Sequence, residues 1–258
     1  MKLSATIITY NEEHNIKACL ESLFFVDEIV VVDSGSTDQT EAICRSFAQV
    51  CFYHQPWLGF GKQKNAAIAL AQGEWILSVD ADEVIPPLLR DEIIHAITQV
   101  DFSGYWINRK NHYKSQWVRH SGWYPDYVLR LFKKGEGVFN DRLVHESIIL
   151  HGKSKRLNHQ IYHYSFRNAS ELIQKADSYS SAGAEMMLQS GRTVMLITPI
   201  VKSLFTFFKT YILKRGFLDG SIGLLISFSN AVGVFYRYYK CYEMKRVENE
   251  SKRSYNNL

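Results

Sequence analysis

The chain of 258 residues is long enough for one large α/β domain with an appendage, and its 46% hydrophobic and 22% charged residues are typical of a globular protein with a real core. The net charge of +4 is uneven, because residues 200–258 carry ten Lys/Arg against four Asp/Glu while the rest is slightly acidic. A basic tail suits nucleic acid or an anionic membrane surface, and the apolar content of this tail favours the membrane.

The four cysteines lack metal-site spacing and predict buried free thiols in a reducing compartment: Cys19, Cys44, Cys51 and Cys241. The N-terminus enters a strand-like run at once, without the pattern of a signal peptide. We therefore expect a cytoplasmic location.

The first hundred residues alternate short apolar runs with segments of helical spacing. The predicted strands are 5–9, 28–32, 50–54 and 75–79. The predicted helices are 13–24, 39–47, 61–72 and 86–100. This alternation predicts a mostly parallel, doubly wound sheet, in which ligands bind beyond the carboxyl ends of the strands.

From residue 104 the pattern changes to strand-like pieces and a stretch dense in aromatic and polar residues. The predicted strands here are 105–109, 127–132 and 161–166. An amphipathic helix over 168–190 is expected to begin at Asn168 or Ser170.

Asp80-Ala-Asp82 follows the buried strand 75–79 and is the sharpest chemical signal. Two carboxylates one residue apart can face a single cation, and Mg²⁺ and Mn²⁺ prefer hard oxygen ligands. A solvated turn is the alternative, but acids delivered by a buried strand are costly unless a cation neutralises them.

A second polar cluster, Asp33-Ser-Gly-Ser-Thr-Asp38, follows another buried strand. A strand–turn–helix junction accounts for Gly35 and for the cap, but it does not require Asp33, whose carboxylate can accept a hydrogen bond from a base or a ribose hydroxyl. The chain has no G-x-G-x-x-G and no Walker A motif, which argues against a dinucleotide cofactor or ATP hydrolysis.

Three motifs together resemble the signature of family 2 glycosyltransferases, which have the GT-A fold: Thr6-Ile-Ile-Thr-Tyr-Asn-Glu12, Val31-Val-Asp-Ser-Gly-Ser-Thr-Asp38 and Asp80-Ala-Asp82. Ser34 departs from the pattern, since many members carry a second Asp there. The resemblance implies a GT-A-type α/β fold, with flanking helices on a mostly parallel sheet. It also implies inverting transfer from a nucleoside-diphosphate sugar with Mg²⁺ or Mn²⁺.

The resemblance also implies roles for single residues. The nucleoside pocket would be lined by Thr9, Asn11, Glu12 and Asp33. Asp80 would lie near the ribose and the metal, and Asp82 would bind the metal directly. Lys64 matches a basic residue near the diphosphate, and a solvated helix face is its alternative. His163 resembles a histidine that completes the metal site in some GT-A enzymes, and a half-buried strand histidine is its alternative.

An inverting transfer also needs a carboxylate that takes the proton of the acceptor hydroxyl. The candidates are Asp126, Asp141 and Glu146. Glu146 is favoured, because related enzymes use an acid after the strand that here contains Arg130. Asp126 is the runner-up, and His145 is either a partner of Glu146 or a packing residue.

The stretch 105–127 mixes aromatic and basic residues. We expect an acceptor surface that includes Trp106, Trp123 and Tyr124, and a satellite core is the alternative. Such a mixture also suits single-stranded nucleic acid, but the three motifs argue against nucleic acid as a partner.

The tail predicts an interfacial helical hairpin, with a helix opening at Thr198 and an uncharged stretch over 220–236 that is marginal for a membrane span. A packed helical subdomain is the alternative. Lys214-Arg-Gly-Phe-Leu-Asp-Gly220 resembles the C-terminal region of bacterial lipopolysaccharide core β-1,4-glucosyltransferases. That resemblance implies UDP-glucose as donor and a lipid-linked inner-core heptose as acceptor.

These expectations define the domain plan. Residues 1–166 form the catalytic domain, with a nucleotide-sugar half of about 1–100 and an acceptor half of about 101–166. Residues 167–258 form a helical region attached peripherally to the inner face of the cytoplasmic membrane. Transfer to a capsular or polyprenyl-linked glycan and a non-catalytic sugar-nucleotide-binding module remain open as alternatives.

Overall fold

The structure is a computed structural model that describes residues 2–141 and 146–255, with side chains described as far as residue 247. Two compact units make up the chain. Unit 1 comprises Met1–His112 and Pro125–Ser165, and unit 2 comprises Tyr113–Tyr124 and Phe166–Leu258.

Unit 1 begins with alternating strands and helices. The strands are β1 (Leu3–Thr9), β2 (Glu28–Asp33), β3 (Val50–His54), β4 (Trp75–Ser78) and β5 (Glu83–Val84). The helices are α1 (Ile16–Ser22), α2 (Thr40–Arg45), α3 (Phe60–Leu70) and α4 (Pro87–Ala96). All four predicted helices exist, but each is shorter than its apolar spacing suggests, because turns at their ends carry part of the apolar pattern.

The remaining strands extend or flank the sheet. They are β6 (Gly104–Tyr113), β7 (Gln116–Trp117), β8 (Tyr127–Lys133), β9 (Gly137–Phe139), β10 (Ile148–Leu150) and β11 (Ser154–Phe166). The strand order along the main sheet is β3-β2-β1-β4-β8-β6-β11-β5, and β9 and β10 form a separate antiparallel pair.

The predicted parallel sheet is confirmed for β3, β2, β1 and β4. Two apolar clusters lie against it, and Ile7, Leu77 and Val31 belong to the larger one. The register pairs Thr9 with Asp33, so the carboxyl ends of β1 and β2 lie side by side. The loops that follow these strands therefore begin at one edge of the sheet, where ligands bind in open α/β sheets.

The later strands are antiparallel to their neighbours: β8 pairs with β4 and β6, and β5 pairs with β11. The short strand β5 directly follows the Asp80–Asp82 turn, and its Glu83 lies opposite His163 of β11. This pairing brings His163, which is 80 positions after Glu83 in the sequence, close to the turn that follows β4.

Unit 2 is largely helical. It contains α5 (Ala169–Gln189), α6 (Thr198–Phe208), a π-helical turn (Lys209–Leu213), a 3₁₀ turn (Gly216–Asp219) and α7 (Gly220–Tyr255). The predicted cap of α5 is confirmed, because the Asn168 side chain accepts a hydrogen bond from the Glu171 amide at 3.0 Å. The far half of α7 packs on α5, where Lys240 bonds to Asp177 at 2.6 Å.

The segment 214–220 is held in place by a buried carboxylate. Asp219 accepts hydrogen bonds from the amides of Arg119 and His120, at 3.2 and 2.8 Å, and its Oδ1 lies 3.0 Å from the His120 ring. Gly216 and Gly223 lie back to back, so that a Cβ on Gly223 would collide with the Gly216 carbonyl. This part of the motif thus has a structural role within unit 2.

The expectation that all four cysteines are buried is wrong for Cys51, which is exposed. Cys51 lies on β3, the edge strand of the sheet, where its side chain is exposed to solvent. The other three thiols are buried, as predicted.

Candidate functional site

An arginine buried in β8 pairs with two acids that follow β4. The Arg130 guanidinium contacts Asp80 through both of its Nη atoms, and its Nη2 lies 2.7 Å from Glu83 Oε1. Glu83 is completely buried and its Oε2 accepts the Asp80 amide at 2.9 Å. The turn that contains Asp82 is therefore held from within by charge-assisted hydrogen bonds, which are stronger than neutral ones.

The electrostatics keep these groups charged. Burial by itself raises the pKa of Asp80, but Arg130 and Lys64 outweigh it and hold the pKa well below its usual range. Burial disfavours the charged guanidinium in the same way, yet Asp80 and Glu83 raise the pKa of Arg130. Asp80 is consequently an anion throughout the neutral range.

Lys64 joins the predicted base to this cluster. Its ammonium lies 2.9 Å from Asp80 Oδ1 and 3.0 Å from Glu146 Oε1, and its side chain is 7% exposed. The alternative of a solvated helix face is therefore wrong for Lys64. Glu146 and Asp80, 66 positions apart in sequence, share one cation, whereas His145 lies outside the described residues.

Asp82 and His163, the two predicted metal ligands, lie together: Asp82 Oδ2 is 3.2 Å from His163 Nε2. Within the described residues no three His, Cys, Asp or Glu side chains form a metal-binding group. A carboxylate and an imidazole nevertheless fit a divalent cation that takes its remaining ligands from phosphate and water, and an imidazole donor suits Mn²⁺ better than Mg²⁺.

Asp126, the runner-up base, is engaged by neighbouring side chains. Its Oδ2 accepts bonds from Arg109 Nε and Nη2, both at 2.8 Å, and from Asn111 Nδ2 at 3.0 Å. Asn111 Oδ1 in turn lies 2.6 Å from His163 Nδ1. Asp126 is thus connected to the Asp82–His163 pair through one amide side chain.

The carboxylate of Asp33 is fully buried, and its Oδ2 accepts the amides of Gly35 and Ser36, both at 2.8 Å. Gly35 has φ +96°, a left-handed conformation that glycine adopts at little cost. Asp33 therefore shapes the turn after β2, and its contact with a nucleoside stays a prediction.

The loops after β1 and β2 are bound to each other. Asn11, with φ +54°, donates its amide to Ser36 Oγ and accepts the Thr37 amide on its Oδ1, both at 2.8 Å. The Glu12 amide donates to Thr40 Oγ1, also at 2.8 Å. These contacts place the predicted nucleoside residues in one connected surface at the sheet edge.

Thr9 lies at the end of β1, and its hydroxyl is buried without a hydrogen-bond partner among the described residues. Such a group is costly unless something satisfies it. The predicted acceptor residues divide between the units: Trp106, bonded to Ser154 at 3.0 Å, belongs to unit 1, and Trp123 and Tyr124 belong to unit 2. Their role in acceptor binding stays a prediction.

Sequence reasoning missed three residues of this site: Arg130, Glu83 and Asn111. A signal existed for Arg130, a lone cation in the apolar run 128–132, and for Glu83, a third acid directly after the Asp80–Asp82 pair. No comparable signal existed for Asn111, because its partners are 15 and 52 residues away.

Comparison with known proteins identifies the family and the fold of the chain. The model of the glycosyl transferase family 2 matches residues 4–158, more than half of the chain. The lipopolysaccharide core biosynthesis glycosyltransferase LpsC of Rhizobium meliloti is 29% identical over 256 residues, covering 92% of this chain and 93% of LpsC.

Two solved structures share the fold. The mannosyltransferase PcManGT of Pyrobaculum calidifontis, in complex with GDP-Man and Mn²⁺, gives a TM-score of 0.54 at 15% identity and covers 93% of this chain and 86% of its own. TarS 1-349 of S. aureus, in complex with UDP, gives 0.52 at 18% identity and covers 96% and 92%. The predicted GT-A-type fold is thereby confirmed.

Arg130→Met should lower the free energy of unfolding by about 3–5 kcal/mol, because it removes the nearest cation of the fully buried Glu83 carboxylate and one of the cations that contact the partly exposed Asp80. Urea denaturation measures the loss. Arg90→Met is the matched control, since Arg90 pairs with Asp91 on the surface and such pairs contribute about 0–1 kcal/mol. Equal stabilities of the two variants would contradict the role assigned to Arg130.

Proposed function

Since the chain belongs to glycosyl transferase family 2, we propose that it is an inverting, metal-dependent hexosyltransferase that transfers glucose from UDP-glucose to a lipid-linked acceptor, the heptose inner core of lipopolysaccharide. The observation that carries the proposal is the charged cluster at the end of β4. It combines a candidate cation site, Asp82 with His163, and a candidate base, Glu146, within one set of contacts.

The proposed binding site for the donor nucleotide lies at the edge of the sheet where β1 and β2 end. The nucleoside would lie against the connected loops after β1 and β2, where Thr9 offers its hydroxyl and Asn11, Glu12 and Asp33 shape the surface. The structurally similar TarS and PcManGT were solved with UDP and with GDP-Man, which supports a nucleoside-diphosphate donor, and the resemblance of the tail supports UDP-glucose.

Lys64 has a direct part in the transfer. Its ammonium is the cation that contacts both Asp80 and Glu146, and in the transfer it binds an oxygen of the leaving diphosphate. Asp82 and His163 would hold the divalent cation, which supplies a positive charge to that diphosphate. Arg130 holds the Asp80 carboxylate in place while negative charge develops on the leaving diphosphate.

Glu146 accepts the proton of the acceptor hydroxyl as this oxygen attacks the anomeric carbon. The bond from carbon to the diphosphate oxygen breaks on the opposite face, so the configuration inverts. The contact of Glu146 Oε1 with the Lys64 ammonium, at 3.0 Å, holds this carboxylate beside Asp80. An acid engaged by three donors on one oxygen, as Asp126 is, suits this task less well.

Unit 2 is the part of the chain that we propose binds the membrane in which the acceptor lipid lies. Large apolar side chains stand exposed on and beside α6: Ile200, Val201, Leu204, Phe205, Phe208, Ile212 and Leu213. Within the described residues, Gly216–Val247 is long and apolar enough by composition to cross a membrane. Because the far half of α7 packs on α5 through Lys240, we favour a hairpin lying in the interface over a spanning helix.

UDP-glucose should give the highest kcat/KM among UDP-glucose, UDP-galactose, UDP-N-acetylglucosamine and GDP-mannose, with heptose-containing core lipid as acceptor. The activity should be lost in excess EDTA and restored by Mn²⁺. Release of the nucleoside diphosphate provides the assay. Equal turnover of another donor would refute glucose, and binding without any turnover would favour a non-catalytic module.

Glu146→Gln should reduce kcat by roughly 10²–10⁴-fold, the usual contribution of a general base, with little change in donor affinity. The glutamine oxygen can still accept the bond from Lys64, so the local structure persists. Steady-state kinetics and UDP binding by calorimetry measure both effects. A loss of donor affinity parallel to that of kcat would show that Glu146 acts by holding Lys64 and not as the base.

Wild-type protein should float with vesicles of phosphatidylcholine and phosphatidylglycerol, and high salt should weaken but not abolish the binding. Each deeply buried α6 side chain adds roughly 1.5–3 kcal/mol, whereas salt screens the charges. The double variant Leu204→Glu/Phe205→Glu should stay unbound. The control Ile173→Glu/Met186→Glu changes two exposed apolar residues of α5 in the same unit and should float.

A further inference from the structure

A row of hydrogen-bonded side chains leads from Asp82 through His163 and Asn111 to Asp126. The successive distances are 3.2, 2.6 and 3.0 Å. Arg109 closes the row with two bonds of 2.8 Å to the same Asp126 oxygen. Asn111 and His163 are at least nine-tenths buried, so water does not substitute freely for these contacts.

The chemistry of these side chains determines which atom donates and which accepts in each hydrogen bond of the row. The Asp126 carboxylate accepts hydrogen bonds and has none to give, so the atom of Asn111 that faces it must be the amide nitrogen. The amide oxygen of Asn111 then faces the ring of His163. Because that oxygen only accepts, Nδ1 of His163 must carry the hydrogen.

This direction leaves Nε2 as the ring nitrogen with the metal-binding lone pair, and it is Nε2 that faces Asp82 Oδ2. At this separation the Nε2 lone pair and the carboxylate oxygen can both bind one divalent cation. Histidines that bind metals typically donate their other ring N–H to an oxygen in this way, which fixes the tautomer and the ring orientation.

We propose that Asn111 and Asp126 are positioning residues, which hold His163 with Nδ1 as a donor so that Nε2 and Asp82 can bind one divalent cation. The inference rests on the proposed function for the identity of that cation as a cofactor of the transfer. It gives Asp126 a task other than that of the base, and it assigns Arg109 to hold the carboxylate in place.

The rigidity of the elements supports this assignment. Asn111 lies in β6 and His163 in β11, both long strands of the main sheet, and β11 also pairs with β5 beside the Asp82 turn. Sites built on strands hold their ligands more firmly than sites built on loops. Without the Asn111 amide, Nδ1 of His163 would keep the Ser165 hydroxyl, 3.1 Å away, which can donate as well as accept, so the position of the ring hydrogen would no longer be fixed.

The test is the affinity of the full-length protein for Mn²⁺ in the presence of UDP, followed by the electron paramagnetic resonance signal of free Mn²⁺. Asn111→Leu keeps the shape of the side chain and removes the acceptor, and it should weaken Mn²⁺ binding by about 10–100-fold. The control Asn158→Leu changes an asparagine of the same strand as His163, whose side chain bonds to Glu92 at 2.9 Å, and should bind Mn²⁺ as the wild type does.

Two variants of Asp126 separate positioning from proton transfer. Asp126→Asn keeps an oxygen for the donors of Arg109 and Asn111, and it should change Mn²⁺ affinity and kcat by less than about tenfold, whereas Asp126→Leu should weaken Mn²⁺ binding as Asn111→Leu does. Loss of kcat by roughly 10²-fold or more in Asp126→Asn, at unchanged Mn²⁺ affinity, would make Asp126 the base and overturn the inference.

The remaining outcomes are equally decisive. Wild-type affinity in Asn111→Leu would overturn the positioning role while leaving the proposed function intact. A wild-type protein that binds no Mn²⁺ with UDP present would overturn both the metal dependence and this inference. Circular dichroism of each variant confirms that the sheet is retained.

Discussion

The charged site depends on one buried cation, the guanidinium of Arg130. Three carboxylates stand within four residues after β4, and such a group would repel itself in a core of low dielectric constant. Arg130 neutralises two of them from the strand next to β4, with 5% of its side chain exposed. The third, Asp82, lies with its Oδ2 3.2 Å from His163 Nε2.

Arg130 and Arg109 pair with two different groups of acids in the site. Arg130 serves Asp80 and Glu83, while Arg109 serves Asp126 and comes within 4.0 Å of Glu83. Lys64 adds the link to Glu146. Asp80, Glu83, Asp126 and Glu146 each pair with an arginine or a lysine, whereas Asp82 pairs with His163, in line with the role proposed for these two residues. These different partners explain how Asp80 and Asp82, two acids of one motif, can have different roles.

The sequence was sufficient where local rules decide the structure. Apolar β-branched runs identified the parallel strands, the Asn168 cap identified the start of α5, and the strand ends identified the Asp80–Asp82 turn. It failed where partners are distant: Arg130 meets Asp80 across 50 residues, and Asn111 meets His163 across 52. Hydrophobic periodicity predicts which face of a strand is buried, but it does not predict which distant side chain will hydrogen-bond to a polar residue on that strand.

The exposure of Cys51 has a practical consequence. Burial raises the pKa of Cys44 to about 12 and that of Cys19 well above its usual range, and Cys241 is also buried, so these three thiols react slowly at neutral pH. Maleimide dyes would therefore label the native protein at one position. That position lies on β3, three residues before His54, whose ring stands 3.6 Å from the Asp33 carboxylate. A fluorophore attached there would report occupancy of the neighbouring loops without any engineered substitution.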